Sequence, residues 1–151
     1  MLILLTAFSK YAIISVALIR NQKDEKYIKY ITKEVFKMKL SEVREILNAK
    51  VLTGEEFLDR EVNSAFGSDL MSDVLAFVEE NSLLLTGLIN PQVIRTAEMM
   101  DIDTIVFVRG KEPDDAVVGM AKMKDIVLMC SDYSLYRSSG RLYEKGLGAV
   151  L

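Results

Sequence analysis

Leu83-Leu84-Leu85-Thr86-Gly87, Asn90-Pro91 and Thr104-Ile105-Val106-Phe107-Val108-Arg109-Gly110 decide the reading of this chain. The two apolar runs are short, unbroken and closed by glycine, the pattern of strands buried on both faces. Between them Asn90 is a strong N-cap and Pro91 suits the first helical position, so a helix carrying Val93, Ile94, Ala97 and Met100 is expected. Strand, helix, strand at this spacing is a β-α-β unit.

The same alternation continues on both sides. Upstream, Ser41 is the expected N-cap of a helix through Val43, Ile46 and Leu47, and Ala49–Thr53 reads as a strand ending at Gly54. Val62–Phe66 is the next strand. Gly67 and Ser68 turn into a helix with the face Leu70, Met71, Val74, Leu75 and Val78, capped by Ser68 or Asp69. Downstream, Arg109-Gly110-Lys111 precedes a helix beginning near Pro113, with Val117, Met120 and Ala121 on its apolar side. Ile126–Cys130 is a further strand. Ser131-Asp132 then caps a last helix through Leu135, Tyr136, Leu142 and Tyr143, with Gly146 and Gly148 near its end. The expected architecture is α/β: three α/β/α layers around a mostly parallel sheet of about five strands. Met99, Met100, Met120, Met123 and Met129 read as core filling.

Of the 151 residues, 50% are hydrophobic and 27% charged, which is ordinary for a globular chain with a full core. A net charge of −3 gives no footprint for nucleic acid. There is no histidine, which removes the commonest general base and metal ligand, and no metal or other cofactor is expected. The single cysteine, Cys130, cannot form an intramolecular disulfide and fits a reducing, cytoplasmic setting.

Residues 1–37 stand apart as an expected helical extension preceding an α/β domain over residues 38–151. Leu2–Ile19 is nearly continuous apolar sequence with Lys10 at its centre. A central lysine costs about 2.5–3.5 kcal/mol on membrane insertion, so a membrane role is disfavoured except through residues 1–20. Asp24–Phe36 has the spacing of an amphipathic helix, while Met38-Lys39-Leu40-Ser41 has the look of a protein start. A helical appendage and an upstream extension both fit residues 1–37.

Several strings carry a family resemblance: Gly67-Ser68-Asp69-Leu70-Met71-Ser72-Asp73-Val74-Leu75-Ala76, Thr86-Gly87-Leu88-Ile89-Asn90-Pro91-Gln92-Val93-Ile94-Arg95-Thr96-Ala97-Glu98, Val106-Phe107-Val108-Arg109-Gly110-Lys111, and Leu135 through Leu147. Together they resemble small stand-alone DRTGG-domain proteins, over about Met38 to Leu147. The resemblance implies a fold like the amino-terminal domain of HPr kinase/phosphorylase, and a regulatory or assembly role like that of related domains in CBS-containing pyrophosphatases and phosphate acetyltransferases. The Asp-Arg-Thr signature that gives such domains their name is here Leu88-Ile89-Asn90. Nor does any Gly-x-x-x-x-Gly-Lys-[Ser/Thr] string exist to cradle phosphates for phosphoryl transfer.

An open α/β sheet offers ligands the carboxyl ends of its strands. The candidate rim there is Ser68, Asp69, Thr86, Gly87, Asn90, Arg109, Gly110, Lys111, Ser131 and Asp132. Amide donors at helix starts, with Arg109 and Lys111, would suit a nucleotide or phosphorylated metabolite. Equally, the serines and Asn90 are ordinary caps and the glycines ordinary turns. Asp69 and Asp73 lie four apart, on one face of the expected helix, either as a weak cation site or as a charged surface. Cys130 is either a reactive thiol or a small buried hydrophobe.

The last helix is the candidate partner surface. Leu135, Tyr136, Ser139, Gly140, Leu142 and Tyr143 combine aromatics with small residues that admit a second backbone, and packing on the chain's own sheet competes for the leucines. The sequence therefore reads as a non-catalytic regulatory or interaction module, a homodimer or a binder of another protein. The alternative is a small transferase or kinase-related enzyme acting through serine and aspartate at the strand ends. No poised nucleophile–base pair is visible for it.

Overall fold

In the computed structural model, residues 37–149 are described. The extension expected over residues 1–37 lies outside them except for Lys37. The elements are β1 (Met38–Lys39), α1 (Leu40–Ile46), β2 (Lys50–Thr53), a 3₁₀ turn (Glu55–Phe57), β3 (Glu61–Val62), β4 (Ser64–Gly67), α2 (Met71–Phe77), β5 (Ser82–Thr86), α3 (Pro91–Met99), β6 (Thr104–Phe107), α4 (Asp115–Lys122), β7 (Val127–Cys130), α5 (Leu135–Glu144) and β8 (Gly148–Ala149).

The main sheet has six strands in the order β2-β7-β6-β5-β4-β8. Strands β4 to β7 are neighbours in chain order and all parallel, β8 adds in parallel to β4, and β2 pairs antiparallel with β7. All five expected strands are in this sheet. The sixth, β8, holds Gly148, which the sequence reading placed at a helix end. A second, two-stranded sheet of β1 and β3 was also missed, because two-residue strands carry no periodicity.

Alternation along the central strands sorts the side chains into two cores. Leu83, Leu85, Val106, Val127 and Met129 face one side, where Leu40, Val43 and Leu47 from the α1 segment and Leu142 from α5 cover them. Leu84, Ile105, Phe107 and Leu128 face the other, beneath Met71 and Val74 of α2, Val93, Ile94 and Ala97 of α3, and Val117 and Ala121 of α4. Helices on both faces make the three-layer α/β/α arrangement.

Several local expectations change. Helix α1 starts at Leu40, one residue before the expected cap Ser41, because the Glu42 carboxylate accepts the Lys39 N–H at 2.9 Å and closes the first turn. Helix α2 begins after Leu70, and no side chain caps it. Ser134, not Ser131 or Asp132, caps α5 by accepting the Arg137 N–H. Leu70 and Leu75 are exposed rather than core, as are Met99 and Met123; Met129 alone of the five methionines is fully buried. Among the described residues, no helix is long and apolar enough to cross a membrane.

Candidate functional site

Chain order and helix placement set where a cleft can form. Strand β6 runs into α4 on one face and β7 into α5 on the other, so the topological switch point lies at the carboxyl ends of β6 and β7. In this protein, backbone pairing closes that crevice: Arg109 N–H donates to the Tyr133 carbonyl at 2.8 Å and Gly110 N–H to the Ser131 carbonyl at 2.9 Å. Arg109 and Gly110 reach these positions through consecutive left-handed φ values of 64° and 63°. A side chain at 110 would also meet Asp132, whose Oδ1 lies 2.9 Å from where a Cβ would stand.

The left-handed turn sends the Arg109 side chain back across the ends of β5 and β4. There the Asp69 carboxylate accepts the Gly87 N–H at 2.6 Å and the Thr86 hydroxyl at 3.1 Å through Oδ1, and Arg109 Nη2 at 3.0 Å through Oδ2. Thr86 Oγ1 in turn accepts the Leu88 N–H at 3.1 Å. The guanidinium lies directly over Gly87, where a Cβ would stand 1.7 Å from Arg109 Nη2 and would displace it. Partial burial pushes the Asp69 carboxyl up, but the Gly87 N–H, the Arg109 guanidinium and the Thr86 hydroxyl outweigh it and hold it below the ordinary carboxylate range. Four rim residues named from the sequence, Asp69, Thr86, Gly87 and Arg109, thus form one interlocked cluster.

The other rim residues do separate things. Ser68 Oγ accepts the Leu70 N–H at 3.0 Å. Asn90 caps α3 by accepting the Gln92 N–H at 3.1 Å, as its position in the sequence implies. Ser131 is buried, donates to the Leu47 carbonyl at 2.7 Å and so ties β7 to the end of α1. Lys111 is exposed, and its carbonyl accepts the Cys130 thiol at 3.4 Å. Burial, with Glu112 and Asp132 nearby, raises the Cys130 pKa against the opposing pull of Lys50, so the thiol stays protonated at neutral pH and is a poor nucleophile. Asp69 lies outside α2 and turns toward Gly87, which separates it from Asp73; among the described residues no group of acidic or cysteine side chains could hold a metal ion.

Helix α5 divides the partner-surface residues. Leu142 is 1% exposed and belongs to the core, which corrects its reading as a contact residue, and Leu135 packs against that core. Tyr136 and Tyr143 are 90% and 69% exposed. With Ser139 and Gly140 they border a groove of about 260 Å³ floored by Ala65, Leu85 and Leu147. A feature that the sequence reading missed lies on the third side of α5: the Arg137 and Arg141 guanidinium carbons stand 4.2 and 4.7 Å from the centroid of the Tyr133 ring. Their spacing of four on one helix was the available signal.

A family profile described as the DRTGG domain matches residues 42–144. The chain belongs to the DRTGG domain family. The DRTGG domain is also similar to a crystal structure of the CBS and DRTGG domains of the regulatory region of Clostridium perfringens pyrophosphatase, complexed with its activator diadenosine tetraphosphate. The TM-score is 0.58 at 12% identity, over 90% of this chain and 57% of that one, so this chain spans little more than half of that regulatory region. No curated protein matches the sequence.

Proposed function

We propose that this DRTGG domain is a non-catalytic regulatory module that responds to an adenine nucleotide or another phosphorylated metabolite and assembles through the tyrosine face of α5. The observation that carries the reading is the interlocked rim. The groups a transferase would need at the strand ends, Asp69, Thr86 and Arg109, are spent on one another and on the Gly87 amide, where they hold β4, β5 and β6 together. A carboxylate held below its ordinary range is a weak base, and Cys130 is a protonated thiol. The rim is built for rigidity rather than proton transfer. The regulatory region with which this chain shares its fold was crystallised with a nucleotide activator, which supports a ligand of that class.

Thermal unfolding of the full chain with AMP, ADP, ATP, diadenosine tetraphosphate and a set of sugar phosphates tests the ligand part. A ligand at a hundred times its Kd stabilises the folded state by about 2.7 kcal/mol. No rise in Tm at millimolar concentrations of any of them would overturn it. For assembly, sedimentation at tens of micromolar should show a dimer that Gly140→Glu dissociates, since a Cβ at Gly140 meets nothing within the chain and the change costs the fold little. A monomeric wild-type chain overturns the dimer.

A further inference from the structure

Arg109, the cation that the sequence points to first, is already neutralised by Asp69 at 3.0 Å and braced over Gly87. We propose that Arg137 and Arg141, standing over Tyr133 at the carboxyl end of β7, form an anion subsite for the phosphates of a polyphosphate ligand, which deepens the functional reading given above.

Three observations converge on this pair. The two arginines lie one turn apart on the same exposed strip of α5, where like charges repel, yet neither joins a carboxylate among the described residues. Arg60 shows how the same chain treats an arginine whose role is structural. It stacks on Phe57 at 3.8 Å, but it also pairs with Asp103 at 3.5 Å and donates to the Asp125 carbonyl at 2.7 Å. Arg137 has the ring alone, and Arg141 adds only a 3.5 Å approach to the Ile46 carbonyl.

The second observation is rigidity. Tyr133 is anchored through its own backbone, its carbonyl accepting the Arg109 N–H at 2.8 Å and its N–H reaching Ser131 Oγ at 3.3 Å. The Tyr133 ring is half-buried against the core, and guanidinium groups already resting on it have less side-chain entropy to lose when a phosphate is gripped. The third is place. Both side chains reach from α5 to Tyr133 in the loop that leaves β7, at the carboxyl end of the sheet, and α5 directs its amino terminus to the same end. Two unpaired guanidiniums at that position match the oxygens of adjacent phosphates better than a single carboxylate.

Calorimetric titration of the full chain with sodium tripolyphosphate and, separately, with ATP tests the subsite. Wild type is expected to bind tripolyphosphate with an affinity that falls as salt rises, R137A and R141A to lose about tenfold each, and R109A to stay within about twofold. R137K keeps the charge without the planar fork and should recover only part of the loss. Circular dichroism confirms that each variant is folded. Binding of tripolyphosphate by the R137A/R141A double variant within about twofold of wild type, or no heat from wild type at millimolar tripolyphosphate, overturns the subsite. If tripolyphosphate binds through the arginines while ATP does not bind, the subsite stands and nucleotide sensing falls; if ATP binds and both arginines are indifferent, the reverse holds.

Discussion

Removing the Asp69 carboxylate should cost the fold more than removing its partner Arg109, although the ion pair is the conspicuous contact. Asp69→Ala orphans two donors at once, the N–H of buried Gly87 and the hydroxyl of Thr86, which is itself 0% exposed. A buried donor left without an acceptor costs about 1–3 kcal/mol. The Asp69 side chain is 41% exposed, so water enters the vacated space and the two penalties do not sum in full; about 2 kcal/mol is expected. Arg109→Ala leaves both donors satisfied and removes a half-exposed ion pair, for which about 0.2–1 kcal/mol is the expected loss. Urea unfolding followed by circular dichroism resolves the difference: with a slope of about 2 kcal/mol per molar, the Asp69→Ala midpoint should fall by about 1 M and that of Arg109→Ala by about 0.1–0.5 M. Equal shifts, or a larger one for Arg109→Ala, would refute the argument that Asp69 works mainly on the β5 terminus.

Gly87→Ala should be nearly neutral, within about 0.5 kcal/mol. The new methyl displaces the flexible guanidinium and breaks its pair with Asp69, but φ at 87 is not left-handed, so alanine also restricts the unfolded chain; a loss above about 2 kcal/mol in urea unfolding would show that the backbone had to move. The Asp69 carboxyl has a folded pKa below its ordinary value, so its stabilisation is complete above an unfolded pKa of about 3.9 and disappears as pH falls through the folded value. The stability gap between wild type and Asp69→Asn should accordingly be flat near neutrality and shrink below about pH 4; a gap that widens in acid contradicts the sign. Asn90→Ala removes the acceptor of the Gln92 N–H and should destabilise by about 1 kcal/mol, whereas Asn90→Gly should cost only a few tenths, both measured by the urea midpoint.

The sequence by itself determined the layered α/β fold and the central strands, because the evidence for those is local. Unbroken apolar runs such as Leu83–Leu85 must be buried on both faces, and Asn90-Pro91 starts a helix whatever lies beyond it. It also indicated which residues lie at the strand ends, since strand ends and glycine turns are visible in one dimension. What they do there depended on the tertiary structure. Asp69 finds its partners 18 and 40 positions away, at Gly87 and Arg109, and Ser131 reaches the Leu47 carbonyl across 84 positions. Leu142 and Tyr143 are neighbours in sequence, yet one is core and the other is exposed, because helix rotation against the sheet sets burial. The two-residue strand β8 exists only because β4 offers it an edge. Side-chain chemistry and short-range periodicity are written in residue order; pairing between distant groups is not, since it depends on which strand ends the crossovers bring together.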